Sequence, residues 1–131
     1  MDISEIKVST RTIEIKHPKT GDNLGIRVTL KSLDDDTMTK TKRTITDRRL
    51  YLEQRGKSFK AEEIEENKNN LLVAAMTDWE WYKPTDDQDA PTFHGETPAF
   101  NNRTIRAVFG ELAWFRDQVS EELGESKAFF D

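Results

Sequence analysis

The sequence predicts a mainly helical α+β domain, with one small N-terminal β-hairpin followed by about four helices. Three observations carry that prediction. Apolar residues alternate with polar ones across residues 11–31, the period of a strand with one buried face. Beyond it, apolar residues recur at helical spacing in segments 34–55, 59–80 and 101–123. Capping and turn residues stand at the borders of these segments. At 131 residues the chain has the length for a single domain with one modest core. Residues 1–123 form the expected domain and residues 124–131 a flexible tail.

The hairpin reads from "TRTIEIKHPKTGDNLGIRVTL". Ile13 and Ile15 alternate with polar neighbours, as do Leu24, Ile26, Val28 and Leu30. Between the two runs "HPKTGDN" supplies turn chemistry, with Pro18 fixing φ and Gly21 tolerating a positive one. An isolated hairpin is marginal in water, so its Ile13/Ile15/Ile26/Val28 face needs a cover. The helix bearing Leu71 and Leu72 is the expected one.

Helix 34–55 begins among Asp34, Asp35 and Asp36, where the positive end of the macrodipole favours acids. Ser32 or Asp34 is the expected cap and Gly56 the expected stop. Its apolar residues Met38, Ile45 and Leu52 recur every seven positions. So narrow a stripe suits packing on a single neighbour, and the helix is expected at the periphery. Helix 59–80, capped by Ser58, carries a wider stripe of Ile64, Leu71, Leu72, Ala75 and Trp79. Trp79 continues that stripe as a core residue, whereas Trp81 and Tyr82 fall off it and end the helix.

A polar loop with Pro84 and Pro91 then crosses to the last helical segment, and Phe93 and Phe100 offer anchors for it. Asn101 or Asn102 caps 101–123, where Ile105, Val108, Phe109, Leu112, Val119 and Leu123 line one side. Gly110 interrupts the segment, implying two short helices or one kinked one. "ESKAFFD" follows as the loose tail, with Phe129 and Phe130 exposed.

The chain is 34% hydrophobic and 34% charged, an unusually polar balance. No apolar run approaches the ~20 residues that span a bilayer, and no signal-peptide pattern opens the chain, so no membrane partner and an intracellular site are expected. The absence of cysteine excludes disulfide scaffolds and thiolate metal sites. The net charge of −5 divides unevenly: residues 1–60 carry 14 Lys+Arg and 9 Asp+Glu, whereas residues 61–131 carry 6 and 16. Such halves can attract within one chain or head to tail between copies.

No residue pattern specifies catalysis, and neither a metal nor a cofactor is expected. Asp86, Asp87 and Asp89 resemble part of a calcium loop, yet its sixth and twelfth positions are Pro91 and Thr97 rather than glycine and glutamate. His17 and His94 each adjoin a turn signal and read as turn residues. No nucleophile elbow or phosphate-cradling glycine run is present. The basic segment 40–60 invites a nucleic-acid reading. It lacks helix-turn-helix spacing, however, and the acidic half of the chain would repel a polyanion, so no nucleic-acid partner is expected.

Taken in order, these segments resemble the tail assembly chaperones of long non-contractile-tailed phages. The likeness rests on "IEIKHPKTGDNLGIRVTLKSLDD", a basic helix, "AEEIEENKNNLLVAAMTDWE", the Pro98–Phe100 step, an asparagine-capped helix and "WFRDQV". It spans roughly residues 11–130 and departs in the longer, more acidic loop 84–97. The resemblance implies a non-enzymatic factor that binds the tape-measure protein, keeps it soluble while tail-tube subunits polymerise, and is absent from the finished virion. Family members are commonly also made as a longer frameshifted product that recruits tube subunits. The expected setting is the host cytoplasm, with self-association into oligomers. The candidate contact residues are Met38, Ile45, Leu52, Trp81, Phe129 and Phe130. The alternatives are a nucleic-acid-binding regulator using segment 40–60 and a structural head–tail connector component.

Overall fold

A computed structural model describes residues 1–130. It is a mixed α+β fold in which four helices pack with a three-stranded antiparallel sheet of order β1-β2-β3. Strands β1 (Arg11–Lys16) and β2 (Asn23–Leu30) form the expected hairpin. Its turn is closed by His17, whose N–H donates to Asp22 O (2.8 Å) and whose Nδ1 accepts from the N–H groups of Lys19 and Thr20. His17 is thus a turn residue, as its neighbours Pro18 and Gly21 suggested.

Helix α1 (Thr39–Glu53) starts later than the expected residue 34, because a 3-10 turn over Asp36–Met38 precedes it. Asp35 caps that turn, accepting from Thr37 N (2.9 Å) and Thr37 Oγ1 (2.6 Å). Ser32 instead holds the approach, its Oγ accepting from Asp34 N.

The largest departure concerns segment 59–80. Helix α2 (Ala61–Ala75) ends at Ala75, and Met76 passes directly into a third strand, β3 (Met76–Trp81). Trp79 is therefore a strand residue. The stripe Leu72, Ala75, Trp79 satisfies a helical period, but "DWEW" at its end also alternates. Tryptophans two apart with a glutamate between them suit a half-buried strand. Pairing decides the matter: Trp79 faces Val28 and Trp81 faces Ile26 across the β2–β3 ladder. An irregularity at Thr29/Leu30 leaves Thr77 without an opposite number and brings Met76 to Leu30.

The sheet has two chemically distinct faces. Ile13, Val28 and Trp79 form one cross-strand row on the inner face. On the outer face Glu14, Arg27 and Glu80 form another, with Arg27 bonded to Glu14 (2.7 Å) and to Glu80 (3.4 Å). Gly25, in β2, lets β3 close against this hairpin. Its φ is +88°, and a Cβ there would stand 2.2 Å from the Tyr82 carbonyl oxygen.

Two helices complete the layer, α3 (Asn102–Glu111) and α4 (Ala113–Leu123). Asn101 caps α3 through Thr104 N (2.8 Å). The break falls at Leu112, whose φ −118° and ψ 76° leave the helical region, and not at Gly110. Ile105, Val108, Phe109, Phe115, Val119 and Leu123 all point into the core shared with the sheet. Strand β1 packs against α4, whereas α2, the expected cover, meets the sheet chiefly at β3. Gln118 donates from Nε2 to Lys16 O and accepts at Oε1 from Lys16 N, both at 2.8 Å. One side-chain amide thereby occupies an edge peptide that could otherwise pair with another chain.

Candidate interaction surface

The candidate contact residues divide sharply by burial. Met38 is fully buried, Leu52 is buried and Ile45 is half-buried. The heptad stripe therefore serves mainly as the seam that fastens α1 to the body, with Ile45 still partly open to a client or to another copy. A narrow stripe can do either job, and the choice depends on which neighbour is present. Trp81 is half-buried in β3 and stacks on Phe115, with centroids 6.4 Å apart and planes 19° from parallel. Its indole N–H is shut from solvent and meets no acceptor.

The expected loose tail is folded back. Residues Ser126–Phe129 form a 3-10 turn, and Phe129 is fully buried. Ser9 N donates to Phe129 O (2.6 Å), and Val8 and Phe130 form an isolated bridge. Of the pair read as exposed aromatics, only Phe130 remains at the surface. The last residue of that tail, Asp131, lies outside the described residues.

Other residues form the surface that sequence reasoning missed. Leu50 and Tyr51 on α1 are each 47% exposed. At 100° per residue Leu50 lies about 200° from Leu52, so the face opposite the seam is itself partly apolar. Tyr51 sits among cations, with the Arg55 guanidinium 4.0 Å and that of Arg48 5.5 Å from its ring centroid. The signal was present in "RRLYLEQR" as two large apolar residues off the heptad.

A second feature is an open groove of about 330 Å³ between α2 and α4, floored by Leu33, Leu71, Leu72 and Leu123. Ile64, 55% exposed, stands on its wall with Lys68 beside it. Lys42 reaches the same neighbourhood by donating to Leu33 O (2.9 Å).

The loop 83–101 is a crossover pinned to the body. Trp79 Nε1 donates to Pro98 O (3.2 Å), and Phe100 packs edge-on to Trp79. Within the loop, Phe93 and Glu96 exchange both backbone hydrogen bonds around His94 and Gly95. Both central residues have positive φ (52° and 80°), the geometry of a two-residue hairpin turn. His94 Nε2 lies 2.6 Å from Glu111 Oε2, tying this turn to α3. No group of three or more His, Asp or Glu among the described residues is placed to hold a metal ion.

The opposite-signed halves meet within the chain. Arg11 pairs with Glu122, Arg27 with Glu80, and Arg48 with Glu63. On the outer sheet face, burial pushes the Glu14 carboxyl up. Hydrogen bonds from Arg27 and Tyr82, with the attraction of Arg27 and Lys16, outweigh that and hold it below its usual value. Tyr82 OH donates to Glu14 at 2.5 Å and Arg27 lies over the Tyr82 ring at 4.2 Å, so one network joins all three strands. The Asp35 carboxyl is likewise lowered, by the two hydrogen bonds from Thr37.

None of the described helices is long and apolar enough to cross a membrane. No family model, curated protein or solved structure matches the chain.

Proposed function

We propose that the chain is a non-enzymatic assembly chaperone of the kind its sequence resembles, and that its client surface is the outer face of α1. The observation that supports this reading is the outward presentation of Leu50 and Tyr51 on a basic helix held by its opposite face. A long helical client bearing apolar and acidic side chains would meet both apolar contact and cations there. In this reading the client is the tape-measure protein, kept soluble in the host cytoplasm until tail-tube subunits enclose it. The chaperone then leaves before the virion is complete. A longer frameshifted form would recruit the tube subunits.

Co-expression with a tape-measure protein tests the reading. The wild-type chain should raise the soluble fraction of that protein. A Leu50→Ser/Tyr51→Ser double variant should lose most of the effect while melting as the wild type does. No rescue by the wild type sinks the proposal, and equal rescue by both chains moves the client off α1. The nucleic-acid reading of segment 40–60 is less favoured, because Arg48 and Arg49 already lie within 3.3 and 3.9 Å of Glu63 and Glu53. Micromolar binding of duplex at about 150 mM salt, with a steep salt slope, would reverse that preference.

A further inference from the structure

Residues 39–70, which hold α1 and most of α2, stand apart from the core. None of them belongs to the apolar core of the described residues, and none of their apolar side chains packs against it. Leu52 is the one buried side chain in this stretch, and it too lies outside that core. Apolar anchorage begins only beyond the two ends, with Met38 before α1 and with Leu71, Leu72 and Ala75 in the last turn and a half of α2. The first part of α2, "AEEIEENKNN", shows why. Its one large apolar residue, Ile64, is 55% exposed.

Polar groups make the attachment instead. Glu65 accepts from Arg116 of α4 (2.7 Å), and Glu66 accepts from Arg106 of α3 (3.3 Å), which also donates to Asn70 (2.6 Å). Lys68 lies 3.9 Å from Asp117 of α4. Helix α1 is tied in turn to α2, where Arg48 donates to Glu63 (3.3 Å). Ion pairs open to water are individually weak. The sheet, α3 and α4 are joined differently, through a shared buried apolar core.

We propose that residues 39–70 form a separately opening unit, latched to α3 and α4 by charge, which comes away and melts while the sheet, α3 and α4 stay folded. Regions with few buried apolar contacts open at a lower free energy than the rest of a protein. Isolated helices of about fifteen residues are marginal in water, so a hairpin released from α3 and α4 loses its helices as it leaves. Leu50 and Tyr51 ride on this unit. Any ligand that takes them in helical form therefore holds the latch shut by mass action. The opening belongs to the free chain and is independent of the client reading.

Native-state hydrogen exchange of the free chain, followed by NMR where exchange tracks the opening equilibrium, tests this. Amides of residues 39–70 should share one opening and show protection lower than that of β2 and α3 by on the order of tenfold or more. Lys68→Glu reverses one half of the latch at a partly exposed position, and circular dichroism melting verifies that the variant folds. Protection should fall by about two- to fivefold across 39–70, in α1 as well as α2, and stay unchanged in β2. Lys68→Glu/Asp117→Lys should restore part of it. Exchange of 39–70 only together with β2, by global unfolding, overturns the proposal. A loss confined to the turn around residue 68 overturns it too, since the ion pair would then be a local contact and not a latch. A charge swap that restores nothing does the same.

Discussion

Replacing Gly25 by alanine should cost this fold about 2–5 kcal/mol, from two separable sources. Gly25 has φ +88°, where an L-residue carries a penalty of about 1–2 kcal/mol. The added Cβ would also lie 2.2 Å from Tyr82 O and 2.9 Å from Pro84 Cδ. The first of these atoms belongs to the backbone and cannot rotate away. Relief requires the β2–β3 junction to open, stretching the 2.8 Å hydrogen bond from Tyr82 N to Gly25 O. Overpacking of this kind adds about 1–3 kcal/mol. Gly95 is the matched control, with φ +80° and no atom within 4 Å of its notional Cβ. Gly95→Ala should therefore show the conformational penalty alone, about 1–2 kcal/mol. Urea denaturation followed by tryptophan fluorescence reads both variants, with the m-value checking that the unfolding transition is unchanged in kind. Equal destabilisation by the two substitutions would refute the close approach of β3 to Gly25. A Gly25→Ala midpoint equal to the wild type's would refute the junction itself.

Trp79→Ala should destabilise by about 3–5 kcal/mol, since a buried aromatic and its bond to Pro98 O are both lost. An unaltered denaturation midpoint would remove Trp79 from the core. Gln118→Ala should cost about 1 kcal/mol and leave the Lys16 peptide free at the sheet edge, raising aggregation on heating, which light scattering measures. Glu14→Gln tests the outer network by pH. The folded carboxyl is held below its ordinary value of 4.5, so its contribution is full above that pH and fades as pH falls through the lower folded value. The wild type's stability advantage over Glu14→Gln should shrink across that window, and a constant difference from pH 7 to pH 3 would show that Glu14 is not held so.

Several features are dictated locally and were legible in the chain. "HPKTG" brings its own turn chemistry, so the β1–β2 hairpin needs no distant partner to set its register. Asn101 caps α3 with an atom three residues from its donor. Three apolar residues at heptad spacing are too few for a core helix, and α1 does lie at the edge. Trp79 belongs to the core on either reading, because it is large and apolar and sits in phase with Leu72 and Ala75.

Other features are set by partners far away in sequence. Whether "MTDWEW" continues a helix or begins a strand is ambiguous locally, since its "DWEW" end satisfies both periods. Hydrogen bonds from β2, some fifty residues earlier, resolve it. The Met38/Ile45/Leu52 stripe is equally compatible with a seam and with a contact surface, and only its packing against the body makes it a seam. Phe129 reads as exposed because nothing near it in sequence could cover it, yet its carbonyl bonds Ser9, 120 residues away. Its ring is buried by the same closure. The exposed surface inherits this dependence. Leu50, Tyr51, Ile3, Ile6 and Ile64 became the available apolar contacts only once tertiary packing had taken the others. A sequence records which side chains avoid water, whereas the folded chain decides which of them run out of neighbours to avoid it with.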